Sequence, residues 1–372
     1  MKAMILAAGK GTRVKPLTDE MPKPMIPIIG KPVMEYLIEE LKRHGFDEIM
    51  INVSHLPDKI EHYFGNGSRL GVEIGYSFEG HIEDGEIISE ALGSAGGIKR
   101  IQDFGGFFDD TFLVVCGDAL IDLDLTAAVR EHWRSGAVAS ICTATVDVEE
   151  VSDYGVVVSD DSGQITSFQE KPEVTQALSN QVNTGIYIFE PEVLDLVPSD
   201  HNFDIGGDLF PLLVERGLNF NAINLPFNWI DIGRISDYWD ANQKIMQGDL
   251  RTIPMPGKQI KPGIWVGLNT HVDWDHCEIS GPVYIGSGTR IEGDVKIQGP
   301  TWFGHGCHIR KGSRIAKSII FEYTRIGSDS VIENAVAYGA FFVDKDGNTY
   351  NDPDIHVDWV TDSRIPVGKL SS

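Results

Sequence analysis

Cysteine is scarce: four among 372 residues, Cys116, Cys142, Cys277 and Cys307, all widely spaced and with no C-x-x-C pair. That excludes a disulfide framework and reads as buried free thiols in a reducing compartment. His271, His276, His305 and His308 fall near two of these thiols, but at spacings that match no common zinc pattern, so they read as outward-facing polar positions. Long apolar runs are also missing. No stretch approaches the ~20 residues that a membrane-spanning helix needs. The opening MKAMILAAG has too short an apolar run for a secretory leader, lacks a cleavage-like site and leads straight into KGTR, so it reads as a strand. Positive charge is the third shortage, with 31 Lys and Arg against 55 Asp and Glu and a formal net charge of −24. Such a balance excludes nonspecific binding to nucleic acid or to an anionic membrane. A polyanionic substrate would have to meet a local basic cluster.

Residues 1–31 supply that cluster. Lys2, Lys10, Arg13, Lys15, Lys23 and Lys31 stand against only Asp19 and Glu20, a net +4. The strand KAMILAA ends in AAGKGTR, a turn that only small residues can make and whose backbone N–H groups suit phosphate oxygens. The Walker pattern is absent, and Val14 stands where the Rossmann fingerprint has its third glycine. By themselves Gly9 and Gly11 fit a tight strand-to-helix connection equally well. The cations that follow favour phosphate: Arg13 can fork to phosphate oxygens, and Lys23 sits between Pro22 and Pro24, which stiffen its backbone.

The length points to two domains. Up to about residue 248, short apolar strands alternate with amphipathic helices, which predicts a mainly parallel sheet covered on both faces. In VMEYLIEELKRHG the residues Val33, Met34, Leu37, Ile38 and Leu41 share one helical face, and DLTAAVREHWRSG reads as another capped helix. YGVVVSDDSGQITSFQEKP carries a DDSG turn between two strand-like runs and predicts an antiparallel hairpin. Residues 249–263, rich in proline and glycine, read as a linker. Beyond them Ile279, Ile285, Ile291, Ile297, Phe303, Ile309 and Ile315 recur every six residues, and after a one-residue slip Ile320, Ile326 and Ile332 continue. Small or β-branched residues such as Val283, Thr289, Val295, Thr301, Cys307 and Ser313 follow four positions later. A six-residue period cannot be an α-helix and fits a β-helix of about eighteen residues per coil over residues 264–340. A polar, turn-rich tail, 341–372, remains.

The run LAAGKGTRVKPLTDEMPKPMIPIIGKP resembles the N-terminal motif of the sugar-nucleotide pyrophosphorylases, or sugar 1-phosphate nucleotidyltransferases, over residues 4–32. LGSAGG at 92–97, CGDAL at 116–120, FQEKP at 168–172, NTGIYIF at 183–189 and WIDIG at 229–233 follow in that family's order. The resemblance implies a Rossmann-like mixed α/β nucleotidyltransferase domain over 1–248, followed by a short left-handed parallel β-helix of hexapeptide repeats. It implies a reaction of NTP with a hexose 1-phosphate to give an NDP-sugar and pyrophosphate, by in-line attack on the α-phosphorus with Mg²⁺. Two polyanions must approach each other, so charge neutralisation and alignment dominate such a site.

The same resemblance implies roles for individual residues. Ala7, Ala8, Gly9, Gly11, Thr12, Arg13, Lys23, Gly93 and Ser94 would bind the nucleotide, with Arg13 on the leaving pyrophosphate and Lys23 at the α-phosphate. Asp118 and Asp231 would hold the metal, and Arg13, Lys23 and Asp118 form the catalytic set. Asp118 also stands at the end of the apolar run TFLVVC, where open α/β sheets bind ligands; Asp231 alone could equally cap a turn before Gly233. Gly155, Glu170, Lys171 and Asn183 would hold the sugar phosphate. The chain looks like both cyanobacterial-type UDP-glucose pyrophosphorylases and mannose 1-phosphate guanylyltransferases. UTP with glucose 1-phosphate is the leading pair, ahead of GTP with mannose 1-phosphate and of a non-catalytic regulatory subunit. A cytoplasmic homo-oligomer, associating through the β-helix, is expected.

Overall fold

The structure, a computed structural model, describes residues 1–83, 86–90, 92–249, 253–339, 341–350 and 360–365. It divides into two compact units: Met1–Lys10, Met21–Ile26 and Pro32–Asp231 form the first, and Gly11–Glu20, Pro27–Lys31 and the chain from Ile232 onward the second.

The first unit is built on a mixed nine-stranded sheet. Strands β1 (Lys2–Leu6), β2 (Glu48–Val53), β3 (Glu73–Phe78) and β4 (Phe112–Cys116) run parallel in the order β3-β2-β1-β4. The two central strands β1 and β4 are buried and apolar on both faces, as strands covered from both sides must be. Ala3 and Ile5 of β1 pack with Leu37, Ile38 and Leu41 of helix α1 (Val33–Arg43). Met4 points the other way, toward Ile98 and Ile101 of α2 (Ser94–Gly105). The helical face expected for α1 is the buried one. Helix α3 (Leu125–Ser135) is capped by Asp124, whose carboxylate accepts from the Ala127 N–H at 2.9 Å, and ends at Gly136 with φ +62°.

The rest of the sheet is where the parallel expectation gives way. Strand β5 (Ala119–Ile121) turns out of it. Strand β6 (Ala139–Thr145) is followed by the hairpin β7 (Gly155–Ser159) and β8 (Ile165–Glu170), antiparallel as the DDSG turn predicts. Strand β9 (Gln181–Phe189) inserts antiparallel to both β4 and β6. Strand β10 (Phe220–Ile223) runs parallel to β6, and β11 (Trp229–Asp231) pairs antiparallel with β5.

The second unit contains a β-helix. Ile279 stands beside Ile297 and Ile297 beside Ile315, eighteen residues apart, whereas Phe303 meets Ile320 after seventeen. The slip in the sequence period is thus one coil shortened by one residue. Ile285, Ile291, Ile297, Phe303, Ile309, Ile315, Ile320, Ile326 and Ile332 fill the interior with at most 2% exposure. Thr289 and Ser313 of the second series are inside too, and their hydroxyls find carbonyls: Thr289 donates to Gly304 O at 2.9 Å and Ser313 to Gly327 O at 2.9 Å. Lys258–Lys261, inside the stretch read as a linker, is a strand antiparallel to Ile264–Val266. Phe341–Asp344 and Val360–Asp362, in the stretch read as a tail, each add an antiparallel strand. Helix α4 (Ile235–Gln247) also belongs to this unit, where the Trp239 indole N–H donates to Lys317 O at 2.7 Å. Residues 250–252 of the linker reading, 340 of the β-helix reading, and 351–359 and 366–372 of the tail reading lie outside the described residues.

Candidate active site

Parallel strands deliver their carboxyl ends to one edge, and the chain leaving β1 there is Ala7, Ala8 and Gly9. These three line a cavity of about 320 Å³ together with Lys23, Gly93, Ser94 and Asp118. Small residues are a steric requirement at this edge. Gly117 donates its N–H to Leu6 O at 2.9 Å, and a side-chain carbon there would come within 3.0 Å of Ile5. Gly93 has φ +74°, and a side chain on it would run into Phe203 O at 2.5 Å.

The cavity also has walls for which the sequence reading had no role. Asn52, at the end of β2, accepts the Ala7 N–H on Oδ1 at 2.7 Å and donates from Nδ2 to Glu79 Oε1 at 2.6 Å. Glu79 follows β3, is 3% exposed and accepts from the Leu92 N–H at 3.4 Å. Burial pushes its carboxyl pKa up, opposed by the Asn52 amide. This buried chain ties the turn after β1 to the segment entering α2. Its signal in the sequence is a polar residue at the carboxyl end of an otherwise apolar strand. Ser94 donates to Asp204 Oδ2 at 2.7 Å and accepts from the Ile205 N–H at 2.8 Å, so the 92–97 loop is also fastened to the 203–207 segment.

Asp118 and Asp231 come together through strand pairing. Asp118 lies two residues beyond β4, and Asp231 at the end of β11 is in register with Ala119 of β5. The Lys23 ammonium donates to Asp118 Oδ2 and lies 3.9 Å from Asp231 Oδ1, with side-chain exposures of 11% for the lysine and 25% for each aspartate. One cation therefore reaches both carboxylates. Cys116 lines the same cavity, and burial together with Asp118 and Asp231 pushes its thiol pKa far up, which keeps it neutral and poorly nucleophilic. Among the described residues no group of three or more His, Cys, Asp or Glu could hold a metal ion by itself. Two carboxylates with room beside them suit a hard divalent cation that takes its remaining oxygens from phosphates and water.

The residues assigned to the sugar phosphate gather at the hairpin rather than along this cavity. Gly155 pairs with Glu170 across β7 and β8, and a side chain on Gly155 would strike Phe168 at 2.5 Å. Lys171 holds φ +44°, a left-handed conformation rare for lysine, and its N–H donates to Tyr154 O at 3.1 Å. Its ammonium, more than half exposed, lies 3.6 Å from Glu170 Oε1. Asn183 on β9 donates to the Tyr187 hydroxyl at 3.0 Å and accepts from the Gly185 N–H at 2.9 Å. Gly206 adjoins this group, since a side chain there would come 2.9 Å from Glu170 Oε2.

Gly11, Thr12 and Arg13 belong to the second unit. Gly11 takes φ +61° and opens a 3₁₀ turn over Thr12–Val14, with Thr12 and Arg13 exposed and Val14 buried.

The chain belongs to the nucleotidyl transferase family, whose sequence profile matches residues 2–248, and it is a nucleotidyltransferase enzyme. Its relatives include a UTP–glucose-1-phosphate uridylyltransferase of Synechocystis, 55% identical over 365 residues, 98% of this chain and 94% of that protein. A mannose-1-phosphate guanylyltransferase of Mycobacterium tuberculosis is 29% identical over 333 residues, 89% of this chain and 82% of that protein. The crystal structure of a protein from Bacillus anthracis, assigned as a glucose-1-phosphate thymidylyltransferase, has a TM-score of 0.57 at 26% identity, covering 69% of this chain and 98% of that one. No helix among the described residues is long and apolar enough to cross a membrane.

Proposed function

We propose that this protein transfers a uridylyl group from UTP to glucose 1-phosphate. An oxygen of the sugar phosphate attacks the α-phosphorus in line, the bond to the bridging β-oxygen breaks, and UDP-glucose and pyrophosphate are the products. The observation that carries the reading is the 55% identity, across 98% of the chain, to a uridylyltransferase of that name.

In this reading Ala7, Ala8 and Gly9 offer backbone to the nucleotide at the edge of β1, while Gly93 and Ser94 form the facing wall of the cavity. Lys23 presents its ammonium to the α-phosphate, and Gly11, Thr12 and Arg13 bind the β and γ phosphates, with Arg13 stabilising the departing pyrophosphate. Lys171 takes the phosphate of the sugar 1-phosphate, and Glu170, Asn183 and the Gly155 backbone take the sugar hydroxyls. Asp118 and Asp231 would hold Mg²⁺, which when bound neutralises phosphate charge at the reacting centre. The catalytic domain takes residues 1–248 and the β-helix residues 264–340, with a linker between them. A cytoplasmic enzyme, associating through its β-helix, completes the reading, and the four free cysteines support a reducing compartment.

The test is pyrophosphate release by the purified protein with Mg²⁺, for UTP, GTP, ATP, CTP and dTTP against glucose 1-phosphate and mannose 1-phosphate. Dominance of UTP with glucose 1-phosphate is the expected result. Dominance of GTP with mannose 1-phosphate would replace it with the guanylyltransferase reading, which the Mycobacterium relative favours. No release from a folded sample would leave a regulatory subunit.

A further inference from the structure

The glycine-rich and lysine-bearing stretch at the N-terminus is divided between the two units. Residues up to Lys10 and Met21–Ile26, with Lys23, belong with the sheet, whereas Gly11–Glu20 and Pro27–Lys31 belong with the β-helix. Inside the second unit, three aromatic rings stand in a row. Tyr238 of α4 lies 6.2 Å from Phe321, and Phe321 meets Tyr338 edge-on at 5.1 Å and 75°. The two outer rings end in hydroxyls that hold the two N-terminal pieces. Tyr238, fully buried, donates to the Pro27 carbonyl at 2.8 Å, and Tyr338 donates to Glu20 Oε2 at 3.0 Å. Glu20 and Pro27 are the residues on either side of the segment that carries Lys23.

The held pieces are stiff. Val14, Leu17 and Thr18 are buried, the Thr18 hydroxyl donates back to Gly11 O at 2.9 Å, and the Val14 N–H donates to the same carbonyl at 3.0 Å. A hold on Glu20 therefore fixes Gly11, Thr12 and Arg13 as well. At the other piece, Gly30 has φ +81°, and a side chain there would press on the Trp302 ring at 3.1 Å, so the turn is fitted to the β-helix surface. Burial, then Glu20, push the Tyr338 phenol pKa up to about 12, so it remains a donor at neutral pH.

We infer that Tyr238 and Tyr338 are positioning residues for the nucleotide, and that this row of rings holds Gly11–Glu20, which bears Arg13, and Pro27–Lys31 within the second unit. The inference rests on the reading that Arg13 binds the phosphates of the nucleotide. It gives the hexapeptide repeats a part in catalysis beyond subunit association.

The test compares Tyr338→Phe, Tyr238→Phe and the double variant in the full chain, measuring KM for UTP and for glucose 1-phosphate separately, with amide hydrogen exchange over residues 11–31. Tyr338→Phe removes one hydroxyl at the surface and leaves the ring contact with Phe321, so folding is preserved. The expected result is a rise of about three- to tenfold in the KM for UTP in each single variant, the loss of one hydrogen bond. The rise should be larger in the double variant, with the KM for glucose 1-phosphate unchanged and exchange at residues 11–20 faster. Unchanged exchange, or an equal rise in both KM values, overturns the inference. Faster exchange with an unchanged KM for UTP overturns it if Arg13→Ala raises that KM, and overturns the phosphate reading beneath it if Arg13→Ala does not.

Discussion

Asp231 Oδ1 lies 3.9 Å from Lys23 Nζ, and the same ammonium donates to Asp118. Two carboxylates against one ammonium leave a net negative charge at the carboxyl ends of the parallel strands, which suits entry of a divalent cation together with phosphates. Removing either carboxylate would take away one of the two anionic side chains that would hold the divalent cation. Asp118→Asn and Asp231→Asn should each lower kcat by about 100-fold or more with circular dichroism unchanged, and should shift half-maximal activation to higher Mg²⁺. Wild-type Mg²⁺ dependence in a folded Asp231→Asn protein would remove that residue from the metal site.

Lys171 is held in a left-handed backbone conformation that presents its side chain beside Glu170. Lys171→Ala should raise the KM for the sugar phosphate about tenfold or more, by loss of a charge-assisted contact, while leaving the KM for UTP near its original value. A change confined to UTP would contradict the assignment.

Much of this architecture was legible in the sequence because it rests on periods. The six-residue series from Ile279 to Ile332 marks the inside of the β-helix, and even its slip appears as a coil of seventeen residues between Phe303 and Ile320. Asp118 was visible as a carboxylate at the end of an apolar strand. Asp231 reads equally as a turn cap in the sequence, and its place beside Asp118 follows from the pairing of β11 with β5, a contact between residues far apart in the chain. Asn52 has a faint signal, one amide at the end of an apolar strand, but Glu79 stands among other polar residues, and the partnership of the two is set by which strands are adjacent. The membership of Gly11–Glu20 in the β-helix unit has no local signal at all, since Tyr338 and Glu20 meet only in the folded chain.

Gly97 tests the Asn52–Glu79 network. A side-chain carbon at this position would come 2.2 Å from Glu79 Oε1 and 3.2 Å from Asn52 Nδ2. Glu79 is buried and hydrogen-bonded on both oxygens, so it cannot swing aside cheaply. Gly97→Ala should displace it, loosen the Ala7 N–H from Asn52 and raise the KM for UTP by about tenfold, with the KM for glucose 1-phosphate less affected. Steady-state kinetics at saturating sugar phosphate checks this; an unchanged KM for UTP would mean that the network shapes the fold and not the nucleotide site.

His132 sets a pH limit on stability, away from the site. It is fully buried, with Ser140 Oγ at 2.8 Å from Nδ1 and Glu190 Oε1 at 3.1 Å from Nε2. These partners fit a neutral ring that accepts from the Ser140 hydroxyl and donates to Glu190. Burial lowers its pKa below the ordinary histidine value, and Glu190 only partly opposes this. The unfolded chain takes up the proton near pH 6.5 while the native site resists it, so the unfolded state binds more protons as pH falls. The contribution is complete above about pH 6.5 and is lost as pH drops through the folded value, at up to about 1.4 kcal/mol per pH unit between the two. Urea midpoints at pH 7.5 and 5.5 should therefore differ more for the wild type than for His132→Gln, which cannot titrate. Equal differences in the two proteins would show that other groups carry the acid sensitivity.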